Sequence, residues 1–241
     1  MDNNLKPFSP IKKSRRAFEE VALHIKESIF SGVHKPGQRL PSEIELAQQF
    51  GVSRPTVREA LRTLELSGFI TIKTGVSGGP IVKDTVLTTI SNLFMDVFQM
   101  EKISVEEFTA ARLAIERIIL DDAIINIEEE GIRNLKENIE HAYALLANNE
   151  LATGANFDFH SLLARASKNR VFIILEKTMN AINLNLRNRT PVSYKTTKAA
   201  VEDHEKILDA LIRKDLKSAN KILEEHILAV GKSLENDSNN F

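Results

Sequence analysis

Residues 40–61 read Leu40-Pro41-Ser42-Glu43-Ile44-Glu45-Leu46-Ala47-Gln48-Gln49-Phe50-Gly51-Val52-Ser53-Arg54-Pro55-Thr56-Val57-Arg58-Glu59-Ala60-Leu61. Two helix starts lie within this stretch. Ser42 with Glu45 three residues on is a capping box, so one helix begins there and runs to Phe50, where Gly51 stops it. Ser53 caps the next, and Pro55 is tolerated because the first turn leaves its N–H groups unpaired in any case. Val57, Ala60, Leu61 and Leu64 form the buried stripe of that helix, and Gly68 ends it.

On the N-terminal side, Phe18, Val21, Ile25 and Ile29 recur at helical spacing, which predicts a helix from about Arg16 to Phe30. Gly32 and the Lys35-Pro36-Gly37 turn close it. On the C-terminal side, Phe69–Lys73 reads as a strand, Thr74–Gly79 as a tight loop and Pro80–Val82 as a return strand. Helix, helix, turn, helix, strand, glycine loop, strand is the order of a winged helix-turn-helix. Residues 1–13 are polar with two Pro and are expected to fray.

The pattern changes after Asp84. No strand is evident, Gly and Pro are sparse, and seven helical segments are predicted at about 86–100, 104–129, 131–148, 152–167, 170–188, 195–213 and 216–235. Connections of a few residues suit a compact antiparallel bundle. The expected fold is mainly α. A winged helix-turn-helix occupies 1–84, and an antiparallel bundle of six to seven helices occupies 85–241, its last residues from Glu235 a disordered tail.

Composition sets the limits. The chain has 241 residues, 42% hydrophobic and 27% charged, as in globular proteins. No Cys is present, which excludes a disulfide framework, a thiol nucleophile and any thiolate metal site. No apolar run approaches the ~20 residues of a membrane span, and no apolar segment precedes the first basic residues. A cytoplasmic protein without a membrane partner is expected. The net charge of −1 hides an asymmetry: residues 1–84 carry +4 and the remainder −5. An excess of positive charge in one third points to a polyanion-binding module joined to an acidic one.

In a helix-turn-helix the second helix enters the major groove N-terminus first. Here that turn reads Ser53-Arg54-Pro55-Thr56-Val57-Arg58. Arg54 and Arg58, four apart, share a face. An Arg fork takes guanine O6 and N7 bidentately or clamps a phosphate, and Thr56 can reach a base methyl or a phosphate. Val57 faces the core. Lys73 and the Gly75–Gly79 loop suit a wing lying along the backbone, because glycine lets the chain approach phosphates closely.

The longer string Pro36-Gly37-x-x-Leu40-Pro41-Ser42-Glu43-x-x-Leu46-Ala47-x-x-Phe50-Gly51-Val52-Ser53-Arg54-x-Thr56-Val57-Arg58-x-Ala60-Leu61 closely resembles the N-terminal domain of GntR-family transcription regulators, over about residues 15–83. The resemblance implies operator contacts from Arg39, Ser42, Ser53, Arg54, Thr56, Arg58, Lys73 and Gly75. One departure is Ile44, where FadR-type relatives often place an Arg.

Three of the six histidines stand out. His24 in the first helix, His34 in a turn and His141 among charged neighbours are expected to be incidental. Asn156 and His160 are i,i+4 on one face with Leu163 and Ala164. His204 and His226 each lie on an apolar stripe, with Val201 and Leu208 and with Leu223 and Val230. The last two helices turn near Lys214-Asp215, so antiparallel packing puts both rings ~15 Å from the turn, at one level. Imidazoles at one level of a bundle interior, with His160 as the third, are the parts of a three-histidine metal site.

Residues 86–235 resemble the FCD ligand-binding domain of FadR-type regulators, through Phe159-His160-x-x-Leu163, His204-x-x-Ile207, His226 and the entry Ala111-Arg112-x-x-Ile115-Glu116. The metal-binding branch implies one divalent ion per chain held by His160, His204, His226 and Asn156. The last stands where Asp is commoner, and Zn, Ni and Mn all fit the set. Arg112 is the expected clamp on an effector carboxylate; an ion pair with Glu116 is its alternative. The implied protein is a homodimeric, ligand-responsive regulator, and most such regulators are repressors. It would bind a palindromic double-stranded operator and sense a small carboxylate. Two alternatives stand beside it: a metal-free acyl-CoA sensor, and a three-histidine metalloenzyme with a DNA-binding appendage. The second lacks a general base, since Asp158 and Glu205 lie off the histidine faces, so no enzyme is expected.

Overall fold

The computed structural model describes residues 16–75, 78–83, 87–187 and 193–238. They form ten helices and one two-stranded sheet, in two compact units, Met1–Thr89 and Ile90–Phe241. The expected fraying of 1–13 and the tip of the glycine loop lie outside the described residues.

The first unit holds α1 (Ala17–Phe30), α2 (Glu43–Phe50), α3 (Arg54–Leu66), β1 (Ile70–Lys73) and β2 (Gly79–Val82). The Ser42 hydroxyl accepts from the Glu45 N–H, and the Glu45 carboxylate accepts from the Ser42 N–H at 2.8 Å. Gly51 ends α2 at φ +64, in the left-handed region that glycine enters without strain. Val57, Ala60, Leu61 and Leu64 of α3 are buried against Val21, Ile25, Leu40, Leu46, Ile70 and Val82. The strands pair antiparallel with Ile70 opposite Val82 and Lys73 opposite Gly79.

The sheet has an addition that the sequence reading lacks. Arg39 bridges Ile81, the Leu40 N–H donates to the Pro80 carbonyl, and the Val82 N–H donates to the Gln38 carbonyl. Leu40 is fully buried, which draws this segment against the wing. The units divide five residues after the expected boundary at 84. Thr89 packs over Gly68, where a Cβ would clash with the threonine hydroxyl, so the start of the next helix belongs with the winged unit.

The second unit holds all but the first three residues of α4 (Leu87–Met100), with α5 (Val105–Asn126), α6 (Glu129–Ala147), α7 (Thr153–Ala166), α8 (Arg170–Arg187), α9 (Tyr194–Ile212) and α10 (Leu216–Ser238). Phe159 and Leu163 of α7, Ile207 and Leu211 of α9 and Leu223 and Ile227 of α10 meet in one core with Leu120 and Leu135. A smaller cluster of Met95, Phe98, Phe108 and Ile182 docks α4 on α5 and α8. The tail expectation needs correction. The last helix continues to Ser238 because Glu235-Asn236-Asp237 holds neither Gly nor Pro to stop it.

Candidate metal centre and nucleic-acid interface

His160 sits on the buried face of α7, one turn after Asn156. The turn at Arg213–Asp215 reverses the chain with Lys214 at φ +54. It sets α9 and α10 side by side, with the His204 and His226 ring centroids 4.7 Å apart. His160 Nε2 lies 3.3 Å from His204 Nε2 and 3.3 Å from His226 Nε2. All three residues are only 2–3% exposed. Phe159 stacks on the His204 ring at 4.0 Å and 6°, which fixes its plane.

Three buried Nε2 atoms facing one point cannot all satisfy one another, since each neutral ring offers either a donor or an acceptor there. Two nitrogens each ~2.1 Å from a common ion stand roughly 3.0–3.4 Å apart, so the observed spacing suits a shared cation. Asn156 Oδ1 is buried with no hydrogen-bond partner among the described residues. An acceptor in that state suits a ligand position or a donor brought by a bound molecule.

The outer face of the cluster is organised by Glu116 on α5. Its Oε2 lies 2.5 Å from His160 Nδ1, and its Oε1 accepts from Arg112 Nε at 2.5 Å. A proton on Nδ1 leaves the His160 Nε2 lone pair facing the cluster. Burial raises the Glu116 pKa, but Arg112 and then His160 outweigh it and hold the carboxyl well below the usual range. Burial pushes His160 down to about 4 against the pull of Glu116, and burial also holds His204 well below its usual value, with His226 and His160 adding. Both rings are therefore neutral near pH 7, the state in which imidazole is a ligand. His226 Nδ1 lies 3.7 Å from Asp203 Oδ2.

A cavity with about 370 Å³ of empty space, part of it open to solvent, reaches this point. Arg112, Asn156, His160, His226, Asn183 and Thr197 are among its walls. Of the two readings of Arg112, the ion pair with Glu116 is present. Its Nε is committed to Glu116, while the guanidinium still forms part of the cavity wall. Two residues here were not legible as site residues. Asn183 is buried with an unpartnered Oδ1 in the same cavity, and Glu176 is 1% exposed with neither carboxyl oxygen partnered. Burial, and then the charge of Glu116, push the Glu176 pKa well up. One carboxyl oxygen of Glu176 and one of Glu116 lie within 4.8 Å of a His160 ring nitrogen.

On the winged unit, Ser53, Arg54, Thr56 and Arg58 cluster at the start of α3. The Thr56 N–H donates to the Ser53 hydroxyl, and the two hydroxyls are 2.8 Å apart. Arg54 is exposed and is not engaged by any described side chain through a hydrogen bond. Arg58 donates to Glu43 through Nε at 3.2 Å and Nη2 at 2.9 Å. That hydrogen bond holds the Glu43 carboxyl below its usual value. Ser42 spends its hydroxyl on the α2 cap. Lys73 and Gly75 are exposed on the wing, with Gly75 at φ +105. The Arg39 side chain passes 3.7 Å from the Cβ that a residue other than glycine would carry at 79. Ile44 is 51% exposed on α2.

A winged helix followed by a helical domain with a histidine-lined cavity defines a DNA-binding transcription regulator with a ligand-sensing domain. The chain belongs to the GntR family: the family described as "Bacterial regulatory proteins, gntR family" matches residues 17–78, and "FCD domain" matches residues 107–229. It is 28% identical over 217 residues to the Uxu operon regulator of Haemophilus influenzae, covering 88% of this chain and 79% of that protein. It is 28% identical over 231 residues to the HTH-type transcriptional repressor NanR of Enterobacter sp., covering 93% and 86%. LutR, an HTH-type transcriptional regulator of Bacillus subtilis, is 29% identical over 207 residues, covering 84% and 94%. The solved structure of Streptococcus agalactiae GntR shares the fold, with a TM-score of 0.70 at 22% identity, covering 90% of this chain and 99% of that one. No helix among the described residues is long and apolar enough to cross a membrane.

Proposed function

We propose that the protein is a homodimeric repressor in the cytoplasm that releases a palindromic operator when a small carboxylate enters the histidine-lined cavity. The observation that carries this reading is the convergence of His160, His204 and His226 on one point of a cavity that Arg112 also lines. His160, His204 and His226 would hold one divalent ion per chain, with Asn156 as a fourth, neutral ligand. Such an ion supplies positive charge and open coordination positions. Three imidazoles and an amide suit several borderline metals, so the donor set does not select among Zn, Ni and Mn.

The remaining recognition belongs to the chain. Arg112 uses one of its five donors on Glu116, and the rest are available to a carboxylate. Asn183 Oδ1 needs a hydrogen donor, which a bare carboxylate lacks. A carboxylate that also bears a hydroxyl satisfies both walls. Glu116, the carboxylate nearest the imidazoles, lies on the Nδ1 side and is committed to Arg112 and His160. A general base on the converging face is therefore missing among the described carboxylates that contact the cluster, which favours sensing over hydrolysis.

Dimerisation is supported by α4. Ile90, Leu93, Phe94, Val97 and Met100 form an exposed apolar stripe, while Met95 and Phe98 of the same helix are buried. A second copy is the occupant that suits a stripe without charges, and a two-fold dimer matches a palindromic site. The repressor assignment follows the name of the similar protein NanR.

The test is calorimetric titration of metal-loaded protein with adipate and with gluconate, with and without operator. Gluconate should bind more tightly, and operator should weaken it by the same factor by which gluconate weakens operator binding. Equal affinity in both states would make the cavity a structural site.

A further inference from the structure

The Glu43–Arg58 pair spans the two helices of the helix-turn-helix. Glu43 is the first residue of α2, fixed by the Ser42 capping box, and α2 is anchored by buried Leu46 and Ala47. Arg58 lies in the second turn of α3. Nε faces Oε1 at 3.2 Å and Nη2 faces Oε2 at 2.9 Å, so the carboxylate grips the side-on edge of the guanidinium. The two side chains are 63% and 30% exposed, for Arg58 and Glu43 respectively. A pair in that setting contributes little to folding, so its geometry calls for another explanation.

The donors supply one. The side-on grip consumes the Nε–H and one Nη2–H. Three N–H groups remain, two on Nη1 and one on Nη2, and none is engaged by a described residue. The end-on edge thus presents two parallel donors in a plane that Glu43 fixes. Two parallel donors are what guanine O6 and N7 require in the major groove. A phosphate would be served as well by an unlocked arginine, and a carboxylate beside it would repel it.

We propose that Glu43 is a positioning residue for operator recognition, locking Arg58 so that its free edge reads one guanine in each half-site. This rests on the reading that α3 enters the major groove. The lock acts in two ways. It orders a long side chain before DNA arrives, which lowers the cost of binding the right sequence. It also keeps a negative charge beside the reading edge, which disfavours Arg58 from settling on phosphates of any sequence. Glu43 therefore raises discrimination rather than affinity as such.

The experiment uses the full-length protein and two duplexes. One is enriched from a random-sequence pool by the wild type, and the other is a scrambled duplex of the same composition. Binding of wild type, Glu43→Gln, Arg58→Lys, Arg58→Ala and the Glu43→Gln/Arg58→Ala double variant is followed by fluorescence anisotropy, after thermal melting confirms each is folded. Glu43→Gln should lose roughly tenfold in the ratio of enriched to scrambled affinity, while binding the scrambled duplex at least as tightly as wild type. Arg58→Lys, which cannot fork, should lose the same discrimination. Base-by-base substitution should place both losses at one G·C pair per half-site, and adding Glu43→Gln to Arg58→Ala should change the ratio no further. If Arg58→Ala weakens the enriched duplex but Glu43→Gln preserves the ratio, or shifts both duplexes together, the positioning role is overturned while α3 remains the reader. If Arg58→Ala leaves the enriched duplex unchanged, the reading of α3 at this residue fails, and the role of Glu43 fails with it.

Discussion

Glu116 and His160 lie 44 residues apart in the chain and 2.5 Å apart in space, joining α5 to α7 at the buried face of the histidine cluster. The same carboxylate holds Arg112 through its other oxygen. One acid therefore touches both the residue assigned to the effector and a residue assigned to the ion. Under the proposed function, displacement of Arg112 by a bound carboxylate would change the hydrogen bond between Glu116 and His160. This gives the two halves of the cavity a direct physical link.

Glu116→Gln tests that link. The amide keeps the shape but accepts from only one of its two neighbours and removes the charge that balances Arg112. Divalent-metal affinity should fall about 10–100-fold, as for other partners that orient a ligating histidine. Competition against a chromophoric chelator reads it. Unchanged affinity would show that the Glu116–His160 bond does not orient a ligand.

At the DNA surface, replacing Arg54 by Ala should weaken operator binding by about 1–3 kcal/mol without unfolding the winged unit. Arg54 is exposed at the first residue of α3, and nothing buried depends on it. Anisotropy at physiological salt measures the loss, and circular dichroism checks the fold. Affinity equal to wild type would remove Arg54 from the interface.

The α4 stripe makes a separate claim. Leu93→Asp with Val97→Asp places two charges on the face assigned to a second copy, while Met95 and Phe98 keep the helix docked. Sedimentation velocity should show a folded monomer of about 27 kDa that binds operator weakly, because it has lost the two-fold match to two half-sites. A dimer that survives both substitutions places the interface elsewhere.

Much of this architecture was legible in the chain. Ser42 with Glu45, Gly51 and Ser53 are local signals, each settled by a few neighbouring residues, and the helix pair follows from them. The seven later helices follow from periodicity. The approach of His204 and His226 was legible because a short turn makes two helices antiparallel and fixes which residues share a level. Glu116 was visible only as the partner of Arg112 one turn earlier. Its bond to His160 joins segments whose packing no local rule determines. Asn183 and Glu176 carry no spacing signal at all, because their importance lies in burial without a partner. Glu43 reads in sequence as an ordinary acid at a helix start; its grip on Arg58 depends on the angle between α2 and α3. The pairing of Arg39 with Ile81 was hidden for a similar reason, since a single bridge leaves no alternating pattern.

The most direct test is the metal content of the histidine cluster. Protein purified without chelator should carry about one divalent metal per chain by elemental analysis, and a crystal structure should show anomalous density ~2.1 Å from the Nε2 atoms of His160, His204 and His226. His204→Ala should abolish both while the protein stays folded. A folded wild type that contains no metal and takes up none from a Zn, Ni or Mn solution would contradict the metal-centred account of sensing.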